Sequence, residues 1–114
     1  MNIDYEDLSD ELRRVTLSGR MDIAGADSIA TKFAALTAGA NRRVIVDLTA
    51  VNFLASIGIR ALISNAKALQ QRGGKLVLLV GAGDAVAKTL ETTGIDSLIP
   101  MFTNAVEAQS AATG

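Results

Sequence analysis

The apolar and polar positions in the middle of the chain predict a buried strand followed by a long amphipathic helix. Residues 44–46 form a compact β-branched run, closed by residues 47–48, which is typical of a strand buried on both faces. A loop is expected over residues 49–54. Apolar residues then recur at helical spacing and form one stripe: Ile59, Leu62, Ile63, Ala66 and Leu69. The helix should end in a basic last turn followed by Gly73 and Gly74.

The pattern on either side of this unit predicts a single α/β domain with a mixed sheet. Residues 1–8 and 12–18 alternate and are separated by a short turn, which favours an antiparallel hairpin. Ile3, Tyr5 and Leu8 are the candidate inward positions of the first strand. The remaining predictions are a helix over 24–38, a strand over 75–80, a helix over 85–92, a short edge strand over 97–102 and a helix over 104–112. The predicted order is ββαβαβα followed by a short strand and a helix, with a sheet of four to five strands.

The predicted connections place three polar residues near one edge of the sheet. A strand–helix–strand unit is a right-handed crossover between parallel strands, so the strand ends at Ser18 and Leu48 should lie side by side. We therefore expect Asp22, Asp47 and Ser56 to share one surface. Two of them also have a structural interpretation, with Asp22 as the N-cap of the first helix and Ser56 as the N-cap of the central helix.

A glycine-rich turn after the fourth strand invites a nucleotide-binding interpretation, but its spacing disfavours it. The turn reads Gly81-Ala82-Gly83-Asp84, and a dinucleotide fingerprint would need a third glycine where Val86 stands. Asp84 is instead predicted to cap the following helix, and Gly94 is predicted to end that helix in the left-handed conformation.

Composition narrows the possible functions. The 114 residues suit one domain, and the chain contains neither cysteine nor histidine, which excludes disulfides, thiol catalysis and a Ser-His-Asp triad. The net charge of −1 and the lack of a long basic run disfavour nucleic-acid binding. The acidic N-terminus does not resemble a signal peptide, and the apolar run over residues 76–80 is too short to insert in a membrane. We expect a cytoplasmic protein, with no catalytic residues, cofactor or metal.

The segment DLTAVNFLASIGIRALI, residues 47–63, resembles the signature segment of STAS domains, specifically that of the anti-sigma-factor antagonists. In that family a strand ending in Asp-Leu leads through a loop with an aromatic residue to Asp-Ser-Ser/Thr-Gly-Leu and a helix. Residues 47–48 match the strand end, Phe53 matches the aromatic residue and Gly58 matches the glycine. Ser56 matches the serine that members of the family have phosphorylated.

The resemblance covers nearly the whole chain and departs from the family at two positions. LSGRMDIAGADSI, residues 17–29, looks like the family's Leu-Thr-Gly-Glu-Leu-Asp segment, and residues 90–102 look like its closing Ser/Thr-Gly-Leu element. Ala55 stands where the family usually has aspartate, and Ile57 where it has a second hydroxyl residue.

The resemblance implies a protein that acts as a switch. Its antagonists bind an anti-sigma factor that is also a serine kinase, which frees the sigma factor; the kinase phosphorylates the antagonist and a PP2C-type phosphatase restores it. Ser56 is the implied phosphorylation site. The expected partner-binding residues are Asp22, Asp47, Phe53, Ala55, Ser56, Ile57, Gly58 and Arg60. The alternative is a non-switching STAS module, in a signalling scaffold or a transporter, and the free chain is expected to be a monomer or weak dimer.

Overall fold

A five-stranded mixed sheet, in which strand order follows chain order, forms the centre of the computed structural model, which describes residues 1–114. The elements are β1 (Asn2–Asp7), β2 (Leu12–Met21), α1 (Ile23–Thr37), β3 (Arg43–Leu54), α2 (Ser56–Gln71), β4 (Lys75–Leu79), α3 (Ala85–Thr93), a 3₁₀ turn (Ile95–Ser97), β5 (Met101–Phe102) and α4 (Ala105–Thr113). The pair β1–β2 is antiparallel and all other pairs are parallel. The predicted element order and the predicted hairpin are confirmed.

The helices divide between the two faces of the sheet. On one face, α1, α2 and α3 pack over a cluster that includes Val44, Val46 and Leu48; on the other, α4 covers a smaller cluster that includes Ile45 and Val77. Successive side chains of a strand point to opposite faces, so a strand covered on both sides is apolar at nearly every covered position. The uninterrupted run that predicted a doubly buried strand is therefore confirmed.

The two strands that lead to α1 and α2 are longer than the sequence pattern predicts. The expected loop over residues 49–54 is wrong, because β3 continues to Leu54 and stays paired with β2 through Arg20–Phe53 and Met21–Leu54. The register shifts twice along this extension, between Thr16 and Ser18 and again between Gly19 and Arg20. Such bulges interrupt the two-residue alternation by which a strand is recognised in sequence.

The first strand differs from its predicted pattern, whereas the ends of α3 agree with theirs. Tyr5 and Leu8 are exposed rather than inward, and the Tyr5 ring instead lies 4.6 Å below the Arg13 guanidinium. Asp84 accepts a hydrogen bond from the backbone N–H of Ala87, and Gly94 has φ of 74°, so both predicted caps of α3 are confirmed. None of the helices combines the length and the apolar character that crossing a bilayer requires.

Candidate functional site

The carboxyl ends of β2 and β3 bring the starts of two helices together. Met21 pairs with Leu54, and the backbone N–H of Ala55 donates a 3.0 Å hydrogen bond to the Met21 carbonyl. Because α1 begins at Ile23 and α2 at Ser56, both helices leave the sheet from neighbouring positions. We call the surface formed by residues 20–23 and 53–60 the carboxyl edge.

Ser56 is exposed in the first turn of α2, and it is not the N-cap. The N-cap is Ala55, whose extended backbone (φ −90°, ψ 167°) precedes the helix and which has no side-chain acceptor for the free N–H groups. The predicted capping role of Ser56 is therefore wrong, because the helix begins at Ser56 itself, one residue earlier than that role requires. The hydroxyl makes no hydrogen bond within the chain, so it is accessible at a helix terminus where anionic groups are favoured.

Gly58 positions this turn against the strand ends. It is buried, and a Cβ at this position would lie 2.7 Å from Leu54 Cδ1 and 2.8 Å from Met21 Cγ. Only glycine lets α2 approach the sheet this closely. Gly58 therefore contributes to the carboxyl edge by holding Ser56 in place rather than by offering a side chain to a partner.

Asp22 and Phe53 are joined by an arginine that sequence reasoning missed. Asp22 Oδ1 accepts a 2.8 Å hydrogen bond from the N–H of Gly25, which confirms its capping role, and Oδ2 lies 3.6 Å from Arg20 Nε. The hydrogen bond from Gly25, helped by Arg20, holds the pKa of the Asp22 carboxyl below its usual value. The same guanidinium lies 4.2 Å from the centroid of the Phe53 ring, within cation–π distance. Arg20 could have been noticed in the sequence, because it stands where the STAS segment usually has glutamate.

Asp47 does not belong to the carboxyl edge. Seven further residues of β3 follow it, and strand alternation places it with Ile45 on the α4 face, opposite α2. It is only 3% exposed and accepts hydrogen bonds from Arg14 Nη2 (2.5 Å) and from the Thr49 hydroxyl (2.6 Å). Burial raises the pKa of Asp47, but these bonds outweigh it and hold the pKa below its usual value. The expected surface shared by Asp47 and Ser56 is therefore wrong, and Asp47 stabilises the sheet.

The remaining predicted residues lie at the start of α2 beside a groove. Ile57 is 40% exposed, as is Phe53, and Arg60 is exposed one helical turn after Ser56. Ile57 and Arg60 line a cavity of about 600 Å³ between α1 and α2. The structure thus brings together Asp22, Phe53, Ala55, Ser56, Ile57, Gly58 and Arg60, without Asp47. This edge combines a free hydroxyl, a helix start and exposed apolar side chains, which suit protein binding and covalent modification.

Comparison with known proteins identifies the family. A model of the STAS domain family matches residues 7–108. The chain therefore belongs to the STAS domain family. Within that family it groups with the anti-sigma factor antagonists, because it is 33% identical over 96 residues to BtrV of Bordetella bronchiseptica, whose name assigns it provisionally to that group. This match covers 84% of the present chain and 81% of BtrV.

Solved structures support the fold. An anti-sigma factor antagonist from Mycobacterium paratuberculosis superposes with a TM-score of 0.86 at 23% identity, covering 99% of this chain and 94% of that one. The Bacillus antagonist SpoIIAA in its unphosphorylated form gives a TM-score of 0.76 at 19% identity, covering 99% of this chain and 97% of that one. At these identities the similarity concerns the fold.

Proposed function

We propose that this protein is an anti-sigma factor antagonist that binds an anti-sigma factor with serine kinase activity and is switched off by phosphorylation of Ser56. Binding would release a sigma factor, and a PP2C-type phosphatase would restore the binding form. The observation that carries the proposal is the exposed Ser56 hydroxyl, free of hydrogen bonds, in the first turn of α2. In this scheme the chain is the substrate of the switch and not its catalyst.

A phosphate at Ser56 is compatible with the fold. The first N–H groups of a helix have no intrahelical partner, and the positive end of the helix dipole faces an anion placed there. Ala55 has no side-chain acceptor, so the backbone N–H groups of Ser56 and Ile57 are left for the phosphate, whereas the N–H of Gly58 donates to the Ala55 carbonyl. The modification therefore need not unfold the domain, and its effect should fall on the bound partner.

The added charge is large enough to reverse binding. Phosphorylation adds about −1.5 to −2 charges at neutral pH. An uncompensated charge forced into a closed interface costs on the order of 2–5 kcal/mol. That corresponds to roughly 30- to several-thousand-fold in affinity, which is sufficient to shift a competition for one anti-sigma factor.

Two variants of Ser56 test the proposal. With the cognate kinase and ATP, the wild type should gain one phosphate on Ser56 by mass spectrometry, and Ser56→Ala should gain none and keep its partner. Because Ser56 is not a cap, Ser56→Ala should change the free energy of unfolding by no more than about 0.5 kcal/mol. Ser56→Asp should fold normally, since an acid suits the first turn of a helix, and should bind weakly.

A serine on the far side of the molecule provides the control. Ser110 is exposed on α4, so Ser110→Ala should be phosphorylated and should bind like the wild type. A phosphate on Ser64 or Thr49, or an Asp variant that binds as tightly as the wild type, would contradict the switch. Stable recovery of a transporter subunit or a signalling scaffold, with Ser56 unmodified in the native cell, would support the non-switching module.

A further inference from the structure

A groove between α1 and α2 opens beside Ser56. Its α1 wall is formed by Ile23, Ala24, Ala26, Asp27 and Ala30, and its α2 wall by Ile57, Arg60, Ala61 and Ser64. Positions 23, 27 and 30 of α1 and positions 57, 61 and 64 of α2 lie three to four residues apart, so each helix presents one row of side chains to the groove. Each wall spans about 10 Å along its helix, which is about two turns.

The groove exists because both helices carry small side chains where they face each other. Ala30 on α1 and Ala61 and Ser64 on α2 leave the space that larger residues would fill. Ile23 stands at its opening with 75% of its surface exposed. An isoleucine with so much of its surface exposed, at the edge of an apolar groove, is typical of an interaction surface rather than of a monomer core.

The two charged residues of the groove have no partner within the chain. Asp27 lies on the α1 wall and Arg60 on the α2 wall, and neither takes part in any of the four ion pairs of the structure. An occupant that satisfies both must carry a basic group toward α1 and an acidic group toward α2. Complementary charges of this kind set the orientation of a docked element more than its affinity.

We infer that this groove receives an amphipathic helix of the protein that binds at the carboxyl edge. That helix carries apolar residues at i, i+3 or i+4 and i+7 over two turns, flanked by a basic residue that faces Asp27 and an acidic residue that faces Arg60. Helix-in-groove recognition uses this spacing of anchors, and the length of the walls accommodates it. The inference rests on the proposed function for the identity of the partner, but its geometry rests on the groove alone.

The position of the groove couples it to the proposed switch. Ile57 follows Ser56 directly and Arg60 follows it by four residues, so both groove residues lie within one turn of the hydroxyl. A phosphate on Ser56 can pair with Arg60 across one helical turn. The acidic residue of the docked helix then loses its partner and meets a negative charge, so docking and phosphorylation exclude each other.

Site-specific crosslinking in the native cell tests the groove. In one variant the photo-reactive residue p-benzoylphenylalanine replaces Ala30, which lies inside the groove. In the control variant it replaces Ala35, which is exposed on α1 outside the groove. The crosslinked peptides are then sequenced by mass spectrometry. Crosslinks from position 30, absent from position 35, should map to an amphipathic helical segment with the charges described. The absence of a crosslink from position 30, or one to a second copy of this chain or to a segment without that pattern, overturns the inference.

Affinity measurements with the identified segment, made as a synthetic peptide, complete the test. Ile23→Ala removes an apolar contact and should weaken binding at least about tenfold. Val106→Ala is the matched control, because Val106 is 73% exposed on α4 on the opposite face of the sheet, and it should stay within about twofold. Arg60→Glu should also weaken binding, and exchanging the facing acid of the peptide for lysine should restore it. Equal affinities of the Ile23 and Val106 variants would overturn the inference.

These outcomes separate the groove from the switch. If Ser56 is phosphorylated and its Asp variant releases the kinase while the groove variants bind normally, the groove inference fails and the proposed function stands. If position 30 crosslinks the described helix in a protein that never phosphorylates Ser56, the proposed function fails and the groove assignment stands.

Discussion

Ala55 leaves the start of α2 without a side-chain cap, although its backbone has the extended conformation of an N-cap. Ala55→Asp should place a carboxylate oxygen within reach of the free N–H groups of the first turn. We expect a gain of about 0.5–2 kcal/mol in the free energy of unfolding, measured by urea denaturation. Ala55→Asn, which caps without charge, should give most of the same gain. A loss of stability in both variants would contradict the assignment of Ala55 as the cap position.

Asp47 makes stability depend on pH, because its pKa is lower in the folded chain than in the unfolded one. For such a carboxyl the contribution is complete above the unfolded pKa of about 3.9 and is lost as pH falls through the folded pKa. Asp47→Asn keeps an acceptor for Thr49 but loses the charge that faces Arg14. It should cost about 1–2 kcal/mol at pH 7 in urea denaturation, and the difference from the wild type should shrink below about pH 4.

Asp10 provides the control for this experiment, since it is exposed and belongs to no ion pair. Asp10→Asn should leave the free energy of unfolding within about 0.5 kcal/mol of the wild type at pH 7. A difference between wild type and Asp47→Asn that is equally large at pH 7 and pH 3 would show that the charge of Asp47 is not the cause.

At the level of the elements, the close packing of α2 on the sheet depends on a single small residue, Gly58. Gly58→Ala adds a methyl group between Leu54 and Met21, both of which are buried and cannot move aside freely. Overpacking of this kind costs about 1–3 kcal/mol, whereas alanine improves helix propensity by about 1 kcal/mol. We expect a net loss of up to about 2 kcal/mol in urea denaturation, together with weaker partner binding, because the turn that carries Ser56 must shift. Ser64→Ala, farther along the same helix, should not destabilise the fold.

The elements also show what could be predicted from the sequence. Helices with one apolar stripe, and the doubly buried run at residues 44–46, were predicted because burial on a regular element leaves a regular pattern. The extension of β3 to Leu54 was missed, because the two register shifts break that pattern. Because β3 continues for seven residues after Asp47, this residue lies far from the carboxyl edge. Arg20 was missed because its two contacts, with Asp22 and the Phe53 ring, depend on strand register that no local pattern encodes.

For the molecule as a whole, the sheet separates a surface for partners from a surface for stability. The carboxyl edge and the groove lie with α1 and α2, whereas α4 covers the opposite face through Ala108 and Ala112, both fully buried. Changes on the α4 face should therefore alter stability without altering recognition. The reverse should hold for exposed residues of the carboxyl edge, where Ser56→Asp changes a charge but no buried contact.

Ala108→Gly tests this separation. It removes a buried methyl group, at about 0.8 kcal/mol, and lowers helix propensity by about 1 kcal/mol, so the free energy of unfolding should fall by about 1.5–2 kcal/mol. A domain with the usual stability of roughly 5–15 kcal/mol remains folded after such a loss. In calorimetric titration at a temperature well below the unfolding transition, Ala108→Gly should bind the partner with the affinity of the wild type. Ser56→Asp should show the opposite result, with wild-type unfolding and weak binding. If Ala108→Gly also lowered affinity in the fully folded state, the two faces would be coupled through the sheet and partner binding could not be assigned to the α1–α2 side alone.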